Sequence, residues 1–313
     1  MEFGLHLPAS QPIFRAEELV QFVQRAEALG FACVTVADHV VVPRRISVPY
    51  PYTLDGRYPG AGYHLETLAT IGFLAGATSR LRFVTSVMIA PYRNAILTAK
   101  MLASLDVLSG GRLIVGLGVG WMKEEFEALG APPYPERGRV TDEYIQAFRE
   151  LWSSENPSFR GRYVSFSDLV FSPKPVQKPS IPIWIGGHSK PALRRAGALG
   201  DGWHPIGGVP TVPLEPDDLA RDLEQLRSHT IKAGRDPRRL RIALKASLFD
   251  REKPIEPGKR RRFIGAAAEI ASDIATYRAA GVDTIIFDVR RSSATETLER
   301  MEWLAREVLA GFD

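Results

Sequence analysis

Short apolar runs alternate along the chain with longer segments whose apolar residues recur every three or four positions. The short runs predict buried strands, and the longer spacing predicts amphipathic helices. Segment Ala16–Leu29 has this helical spacing, and Gly30 fits the position just after a helix end. Ala95–Leu108 has the same spacing and stops before Ser109-Gly110-Gly111. The alternation indicates a parallel sheet with crossover helices.

Eight runs are predicted as strands, which is the number in a closed (β/α)8 barrel. They are Phe3–Leu7, Ala32–Ala37, Leu81–Met88, Leu113–Leu117, Ile183–Ile185, Gly202–His204, Arg241–Lys245 and Thr284–Phe287. The chain has 313 residues, against about 250 for a typical barrel. We therefore expect one α/β TIM-barrel domain over residues 1–313, with insertions after its strands.

Two segments are too long for plain turns. Val40–Tyr63 follows the second strand and is rich in Pro, Tyr and Gly. Loops that follow strands build the active-site face of a barrel, so we expect this segment to cover a ligand. Phe159–Ser180 follows a helix, and the same rule puts it near the opposite face.

Charge and composition narrow the class of partner. The net charge is +4, and the basic residues are spread along the chain apart from one cluster, Lys259-Arg260-Arg261-Arg262. A nucleic-acid binder usually concentrates its charge on one face, so we expect no nucleic-acid partner. A small anionic ligand accounts for the mild positive charge equally well. A solvated loop is a better explanation of the basic cluster than a nucleic acid or an anionic ligand.

The chain has a single cysteine, Cys33, so an internal disulfide is excluded. We expect Cys33 to be a small residue of the core. The N-terminus lacks the pattern of a signal peptide, and no apolar run reaches 18 residues. We expect a cytoplasmic protein with no membrane partner.

A strand, two glycines and a hydroxyl residue stand together at Ile183–Ser189, before a predicted helix at Pro191–Leu199. Glycines let the backbone approach an anion, and a helix N-terminus offers free N–H groups, so Gly186, Gly187, His188 and Ser189 are candidates for a phosphate cradle. The alternative is a tight turn in which Ser189 only caps the helix.

Alternating glycines follow the fourth strand in Val115–Trp121. The spacing differs from the dinucleotide-binding fingerprint. We expect Gly118 and Gly120 to allow close approach of the backbone to a flat ring or a barrel end. A crowded barrel corner is the alternative.

Asp38 and His39 end the second strand, where a side chain points into the active-site face of a barrel. Imidazole titrates near neutral pH and can move protons, although a structural pair is the alternative. None of the six histidines forms an i, i+4 pair, and no metal site is expected. The small and β-branched residues of Val84–Pro91, taken alone, are typical of a strand that packs in a barrel.

Taken together, these motifs resemble the luciferase-like monooxygenase superfamily from Gly4 to about Trp203. The segments that carry the resemblance are Ala37-Asp38-His39, Thr78-Ser79-Arg80-Leu81, Ser104–Arg112, Trp184-Ile185-Gly186-Gly187 and Gly200-Asp201-Gly202-Trp203. The combination is more specific than any single segment.

The resemblance implies a (β/α)8 barrel that binds reduced FMN or the deazaflavin coenzyme F420, and a homodimer. It implies a non-prolyl cis peptide at Ser86–Val87 behind the deazaflavin ring, and a phosphate-binding turn at Gly186–Ser189. Asp38 and His39 match the site pair of the deazaflavin-dependent sugar-phosphate dehydrogenases.

One departure concerns the acid of those dehydrogenases. They carry a glutamate just after the glycines of the fourth strand, where this chain has Trp121. Trp121 is expected to wall the substrate pocket, and Tyr50 and Tyr52 suggest a partly apolar substrate. His39 remains the best titratable candidate for catalysis, with Lys245 and Tyr52 next.

We therefore expect an oxidoreductase that transfers a hydride between F420 and an organic substrate. The alternatives are an FMN-dependent monooxygenase and a non-catalytic flavin-binding protein. Four arginines are candidates for the coenzyme's oligoglutamate tail, with surface solvation as the alternative. They are Arg260, Arg261, Arg290 and Arg291.

Overall fold

Eight parallel strands close into a barrel in the computed structural model, which describes residues 1–9, 14–60, 62–247 and 260–312. The strands are β1 (Glu2–His6), β2 (Cys33–Val36), β3 (Arg82–Thr85), β4 (Leu113–Gly118), β5 (Ile183–Gly186), β6 (Gly202–His204), β7 (Arg241–Ser247) and β8 (Thr284–Asp288). Each pairs in parallel with the next, and β8 closes the barrel on β1 with Glu2 opposite Thr284. The predicted (β/α)8 barrel is confirmed.

Helices follow the strands and cover the barrel. They are α1 (Ala16–Ala28), α2 (Thr67–Ala75), α3 (Ala95–Leu108), α4 (Lys123–Ala128), α5 (Arg137–Ser153), α6 (Lys190–Leu199), α7 (Pro216–Lys232), α8 (Ala267–Ala279) and α9 (Ala294–Trp303). The predicted periodicity is confirmed in α1, whose Leu19, Phe22, Val23 and Ala26 are buried. Gly30 has φ +85°, the left-handed conformation expected after a helix end.

The third strand departs from its predicted bounds. It ends at Thr85, the Ser86–Val87 peptide bond is cis, and extended pairing resumes at Met88–Ile89 against β4. The cis bond implied by the resemblance is therefore present.

The interior is filled by apolar side chains from successive strands. One layer inside the barrel consists of Cys33, Val84, Ile114, Trp184, Ala243 and Ile286. Burial raises the pKa of the Cys33 thiol to about 12, so the thiol stays protonated and serves in packing, as predicted.

The two long segments lie at opposite ends of the barrel. The segment after β2 lines a cavity at the C-terminal ends of the strands. The segment before β5 carries a short hairpin, Phe159–Arg160 with Ser165–Phe166, and its Gln177 donates from Nε2 to the carbonyl oxygen of Leu113, where β4 begins. Both placements agree with the predictions. No helix in the described ranges is long and apolar enough to span a bilayer.

Candidate active site

A cavity of about 410 Å³ opens where the strands end, at the face on which barrel enzymes carry their sites. That volume lies in the range of small-molecule sites. Its walls include most of the predicted site residues, namely Asp38, His39, Tyr50, Tyr52, Ser86, Val87, Trp121, Gly186 and Gly187. The other predicted site residues, Gly118, Gly120, His188 and Ser189, do not line it.

Aromatic side chains form one wall, as the sequence predicts for an apolar substrate. Tyr50 lies edge-on to Trp121 with ring centroids 5.1 Å apart, to Tyr58 at 5.3 Å and to Tyr52 at 5.4 Å. Burial raises the pKa of Tyr58 to about 12 and moves that of Tyr50 in the same direction. These tyrosines therefore present neutral hydroxyls at neutral pH.

His39 is held by a buried carboxylate. Its Nδ1 lies 2.8 Å from Oε2 of Glu125, whose side chain is inaccessible to solvent. The other hydrogen bonds to Glu125 come from the Tyr92 hydroxyl at 2.9 Å and from the backbone N–H groups of Val40 and Val41 at 2.8 and 3.2 Å. A carboxylate can only accept at Nδ1, so Nδ1 carries the proton and Nε2 is left for the cavity.

Sequence reasoning missed Glu125. It follows Glu124 in the first turn of α4, where acidic residues are common because they interact favourably with the helix dipole. The residues give no sign that one of the two carboxylates turns inward. Position 121 lacks the glutamate of the sugar-phosphate dehydrogenases. A different glutamate, Glu125, follows four residues later in the first turn of α4.

Asp38 has a different environment from His39. Its carboxylate accepts from both terminal nitrogens of Arg93 at 2.7 and 2.9 Å, from Thr67 Oγ1 at 3.0 Å and from the N–H of Ile89 at 2.9 Å. These contacts tie the end of β2 to the chain beyond the cis peptide. They favour the structural alternative for Asp38 over a direct contact with a ligand.

The turn after β5 has the features of an anion site and those of a simple cap. Ser189 Oγ accepts from the N–H of Ala192 at 3.3 Å, which is the capping alternative. Gly187 has φ +93° and lines the cavity, and a Cβ there would meet only Ala192, at 3.4 Å. The cradle is therefore open on the cavity side.

His188 supplies an unsatisfied donor at this turn. Its Nε2 accepts from the N–H of Ile206 at 3.3 Å, so Nδ1 carries the proton, and that atom is buried without a hydrogen-bond partner. Burial lowers the pKa of His188 to about 4, which keeps the ring neutral. A buried N–H without an acceptor is what an absent anionic or polar ligand would leave.

Gly118 and Gly120 serve packing rather than the cavity. A Cβ at Gly118 would lie 2.5 Å from Val87 Cγ2, and a Cβ at Gly120 would lie 2.7 Å from a ring carbon of Phe126. The space beside each glycine is already filled by protein. This geometry favours the crowded-corner alternative for both glycines.

A second polar set lies at the ends of β1, β6 and β7, and we call His6, His204 and Lys245 the inner polar group. His204 Nδ1 donates to the carbonyl oxygen of Ala243 at 2.6 Å, and its Nε2 accepts from Ser86 Oγ at 2.9 Å. Burial lowers the pKa of His204 to about 4. Lys245 Nζ lies 3.3 and 3.4 Å from the two ring nitrogens of His6.

Comparison with known proteins fixes the family. Residues 1–256 match the luciferase-like monooxygenase family, more than half of the chain. The chain belongs to the luciferase-like monooxygenase family. The resemblance drawn from the sequence is thereby confirmed.

Two relatives illustrate the family's range. An uncharacterized protein of Mycobacterium tuberculosis is 34% identical over 218 residues, which cover 69% of this chain and 72% of that protein. The FMNH2-dependent dimethylsulfone monooxygenase of Pseudomonas putida is 34% identical over 179 residues, 56% of this chain and 48% of that enzyme.

Solved structures of the same fold include a monooxygenase and F420-dependent enzymes. The monooxygenase RslO1 from Streptomyces bottropensis has a TM-score of 0.82 at 21% identity, and all of both chains is covered. An F420-dependent secondary alcohol dehydrogenase in complex with an F420–acetone adduct has a TM-score of 0.78 at 19% identity, covering 100% of this chain and 99% of that one. At these identities the likeness shows the fold alone.

The arginines proposed for a coenzyme tail differ in their placement on this luciferase-like barrel. Arg290 lines the cavity and pairs with Asp288. Arg260 pairs with Asp273 at 2.8 Å, and Arg261 donates to the carbonyl oxygen of Gly208. Arg291 donates from Nη1 to the carbonyl oxygen of Arg290. Lys259 of the same cluster lies outside the described residues.

Proposed function

We propose that this protein is an oxidoreductase that transfers a hydride between F420 and a small organic substrate. The observation that carries the proposal is the hydrogen bond from His39 Nδ1 to Glu125 beside the cavity. Two F420-dependent enzymes, the alcohol dehydrogenase and a tetrahydromethanopterin reductase, share the fold and support it by analogy.

His39 would manage the proton of the reaction. When bound, the coenzyme supplies the hydride acceptor or donor. As a substrate alcohol loses its hydride from carbon, His39 Nε2 takes the hydroxyl proton, and in the reverse direction it returns that proton to the carbonyl oxygen. Glu125 stabilises the imidazolium formed in between and holds the tautomer in which Nε2 is the base.

The cavity residues fit a flavin-type ring and its phosphate. Val87 and Gly186 line the same wall, and a Cβ at Gly186 would lie 2.9 Å from Val87 Cγ1, so the wall has no room for a side chain there. Gly187 would let the phosphate approach the turn closely, with the unsatisfied Nδ1–H of His188 buried behind it. Tyr50, Tyr58 and Trp121 would orient the apolar part of the substrate and exclude water.

An FMN-dependent monooxygenase is the second candidate. It is favoured by the Pseudomonas relative, whose 34% identity exceeds that of the F420-dependent enzymes of the same fold. A non-catalytic flavin-binding protein is the third candidate, and it would bind a cofactor without turnover.

The deciding experiment titrates the purified protein with F420 and with FMN, each oxidised and reduced, and follows oxygen uptake in parallel. We expect F420 to bind more tightly than FMN, with no oxygen consumption. Tight FMN binding without F420 binding would overturn the assignment. Consumption of oxygen with reduced FMN would establish the monooxygenase.

A panel of alcohols and ketones then separates catalysis from sequestration. We expect F420 absorbance to change with at least one member of the panel and the rate to fall in His39→Ala. F420 binding without turnover on any member would support the non-catalytic candidate.

A further inference from the structure

Lys245 is a cation in the cavity wall without an anionic partner of its own. It lies on β7, close to the C-terminal end of the strand, and lines the cavity together with His6 and His204. Its Nζ contacts the two ring nitrogens of His6, at 3.3 and 3.4 Å. Across the described residues, no carboxylate oxygen lies within 4.0 Å of Nζ.

The acid whose charge acts on Lys245, Asp288, is engaged elsewhere. Asp288 holds Arg290 in two parallel contacts, Oδ1 to Nε at 2.8 Å and Oδ2 to Nη2 at 2.5 Å. It affects Lys245 only through space. Its carboxylate is thus committed to a guanidinium, which it matches in geometry.

The neighbouring imidazoles are neutral, and an imidazole in either protonation state lacks the negative charge that would pair with an ammonium. Burial, followed by the proximity of Lys245, lowers the pKa of His6 well below its usual value. Burial likewise lowers the pKa of His204 to about 4. Both rings are therefore neutral, and the ammonium meets only neutral groups. Burying a cation in this way is costly unless an anion joins it.

We propose that Lys245 binds a carboxylate group of the substrate, whose apolar part lies against Tyr50 and Trp121. Both features line one cavity of about 410 Å³, so one small molecule can reach them together. The substrate class is then a small, partly apolar carboxylic acid that bears the hydroxyl or carbonyl group to be transformed. The chemistry of that group rests on the proposed function, whereas the anion site does not.

A carboxylate fits the site better than a phosphate. The described wall offers one ammonium here, while Arg290 is already held by Asp288. One ammonium neutralises a monoanion, whereas a phosphate ester carries close to two charges at neutral pH. Burial lowers the pKa of Lys245 to about 8, so its charge is mostly present at pH 7.

The test measures binding to the protein alone by calorimetry at constant ionic strength. The probes are benzoate, its neutral counterpart benzyl alcohol, and phenyl phosphate. We expect wild-type protein to bind benzoate about tenfold or more tightly than benzyl alcohol, as one charge-assisted hydrogen bond allows. Lys245→Met should abolish the preference, and Lys245→Arg should retain it.

The control variant is Lys232→Met, at the exposed end of α7, which should keep the preference. Thermal melts establish that each variant is folded. Equal affinity of the wild type for benzoate and benzyl alcohol would overturn the proposal, as would an undiminished preference in folded Lys245→Met. Tighter, Lys245-dependent binding of phenyl phosphate would overturn the carboxylate assignment.

The result is independent of the cofactor test. A benzoate preference that depends on Lys245 would stand even if F420 does not bind, and only the proposed hydride transfer would then fail. Conversely, F420-dependent turnover without the benzoate preference would remove the anion site and leave the proposed function intact.

Discussion

His39 Nδ1 donates a hydrogen bond of 2.8 Å to Oε2 of the fully buried Glu125. Because Oε1 accepts from the backbone of Val40 and Val41, the carboxylate cannot rotate without breaking these bonds. The imidazole is therefore fixed both in orientation and in tautomer, and Nε2 is the atom available for proton transfer.

Glu125→Gln should lower turnover by about 10²–10⁴-fold while cofactor affinity changes little. The amide retains the shape of the side chain but can present N–H to His39 Nδ1, which moves the ring proton to Nε2. The measurement is kcat under cofactor saturation together with its pH profile, which should differ from that of the wild type.

Glu124→Gln is the matched control for that variant. Glu124 is the adjacent residue, and its Oε1 accepts from the N–H of Ser47 at 2.8 Å rather than from His39. It should leave kcat and the pH profile close to wild type. Equal losses in the two variants would show that the effect comes from the loop or helix and not from the imidazole.

His39→Ala should reduce turnover by two or more orders of magnitude with little change in cofactor affinity. The reason is that no other histidine in the described part of the chain combines a place in the cavity wall with a carboxylate on its ring. His64→Ala is the comparison. The ring centroids of His64 and His39 lie 4.9 Å apart, but His64 hydrogen-bonds to the hydroxyl of Tyr58 rather than to a carboxylate. Weakened cofactor binding with turnover retained would mean that His39 is structural.

The fold was predictable because its signals are local. A parallel strand buried on both faces reads as a continuous apolar run, as in β2, where all four residues are buried. The spacing of the apolar residues in α1 and the glycine after its end predict this helix. The early end of β3 has no local signal, and only the family resemblance pointed to the cis bond.

The site was predictable only where the strand ends supply it. His39 and Gly187 follow strands, and this rule located both on the cavity. Glu125 lies on a helix and is brought to His39 by a contact across 86 positions. The inner polar group lies at strand ends, but the contact of Lys245 with His6 spans 239 positions. Nothing in the spacing of these residues encodes such contacts.

Asp38→Asn should destabilise the fold by about 1–3 kcal/mol, because Arg93 loses its buried charged partner and keeps only the more exposed Glu66. Urea unfolding measures the loss. Glu18→Gln removes one partner of the surface pair Arg15–Glu18 and should change stability much less. If Asp38→Asn is as stable as wild type but loses cofactor affinity, Asp38 contacts the cofactor directly.

Gly187→Ala should weaken cofactor binding by about tenfold or more, since one carbon in a tight site is worth roughly 1–3 kcal/mol. The new methyl would stand at the open side of the cradle. Gly30→Ala is the control, because Gly30 has a similar φ of +85° and nothing within 4 Å of the added Cβ. Both variants should lose roughly 1–2 kcal/mol of stability from the left-handed backbone.

Cofactor affinity by fluorescence titration separates those two glycine variants. The phosphate cradle predicts loss in Gly187→Ala only. Unchanged affinity in a folded Gly187→Ala would leave Ser189 as a simple helix cap and move the phosphate elsewhere.

Acid should destabilise the protein through His204 before the carboxylates titrate. Burial lowers the pKa of His204 to about 4, against about 6.5 in an unfolded chain. Between these values the unfolded chain binds a proton that the folded protein does not, so stability is full above pH 6.5 and falls as the pH drops toward 4. The loss attributable to His204 between pH 7 and pH 5 is about 2 kcal/mol. Because the pKa values of His6, His64 and His188 are lowered in the same way, this loss is measured as the difference between wild type and His204→Asn in urea unfolding at the two pH values. His204→Asn should be less stable at pH 7 but should lose less stability between pH 7 and pH 5, because the titrating ring is gone.

Ser86→Ala is the control, because it keeps the ring and removes only the hydroxyl that donates to Nε2. It should therefore retain most of the wild-type loss of stability between the two pH values. If His204→Asn and wild type lose equal stability between the two pH values, the acid sensitivity lies in other groups.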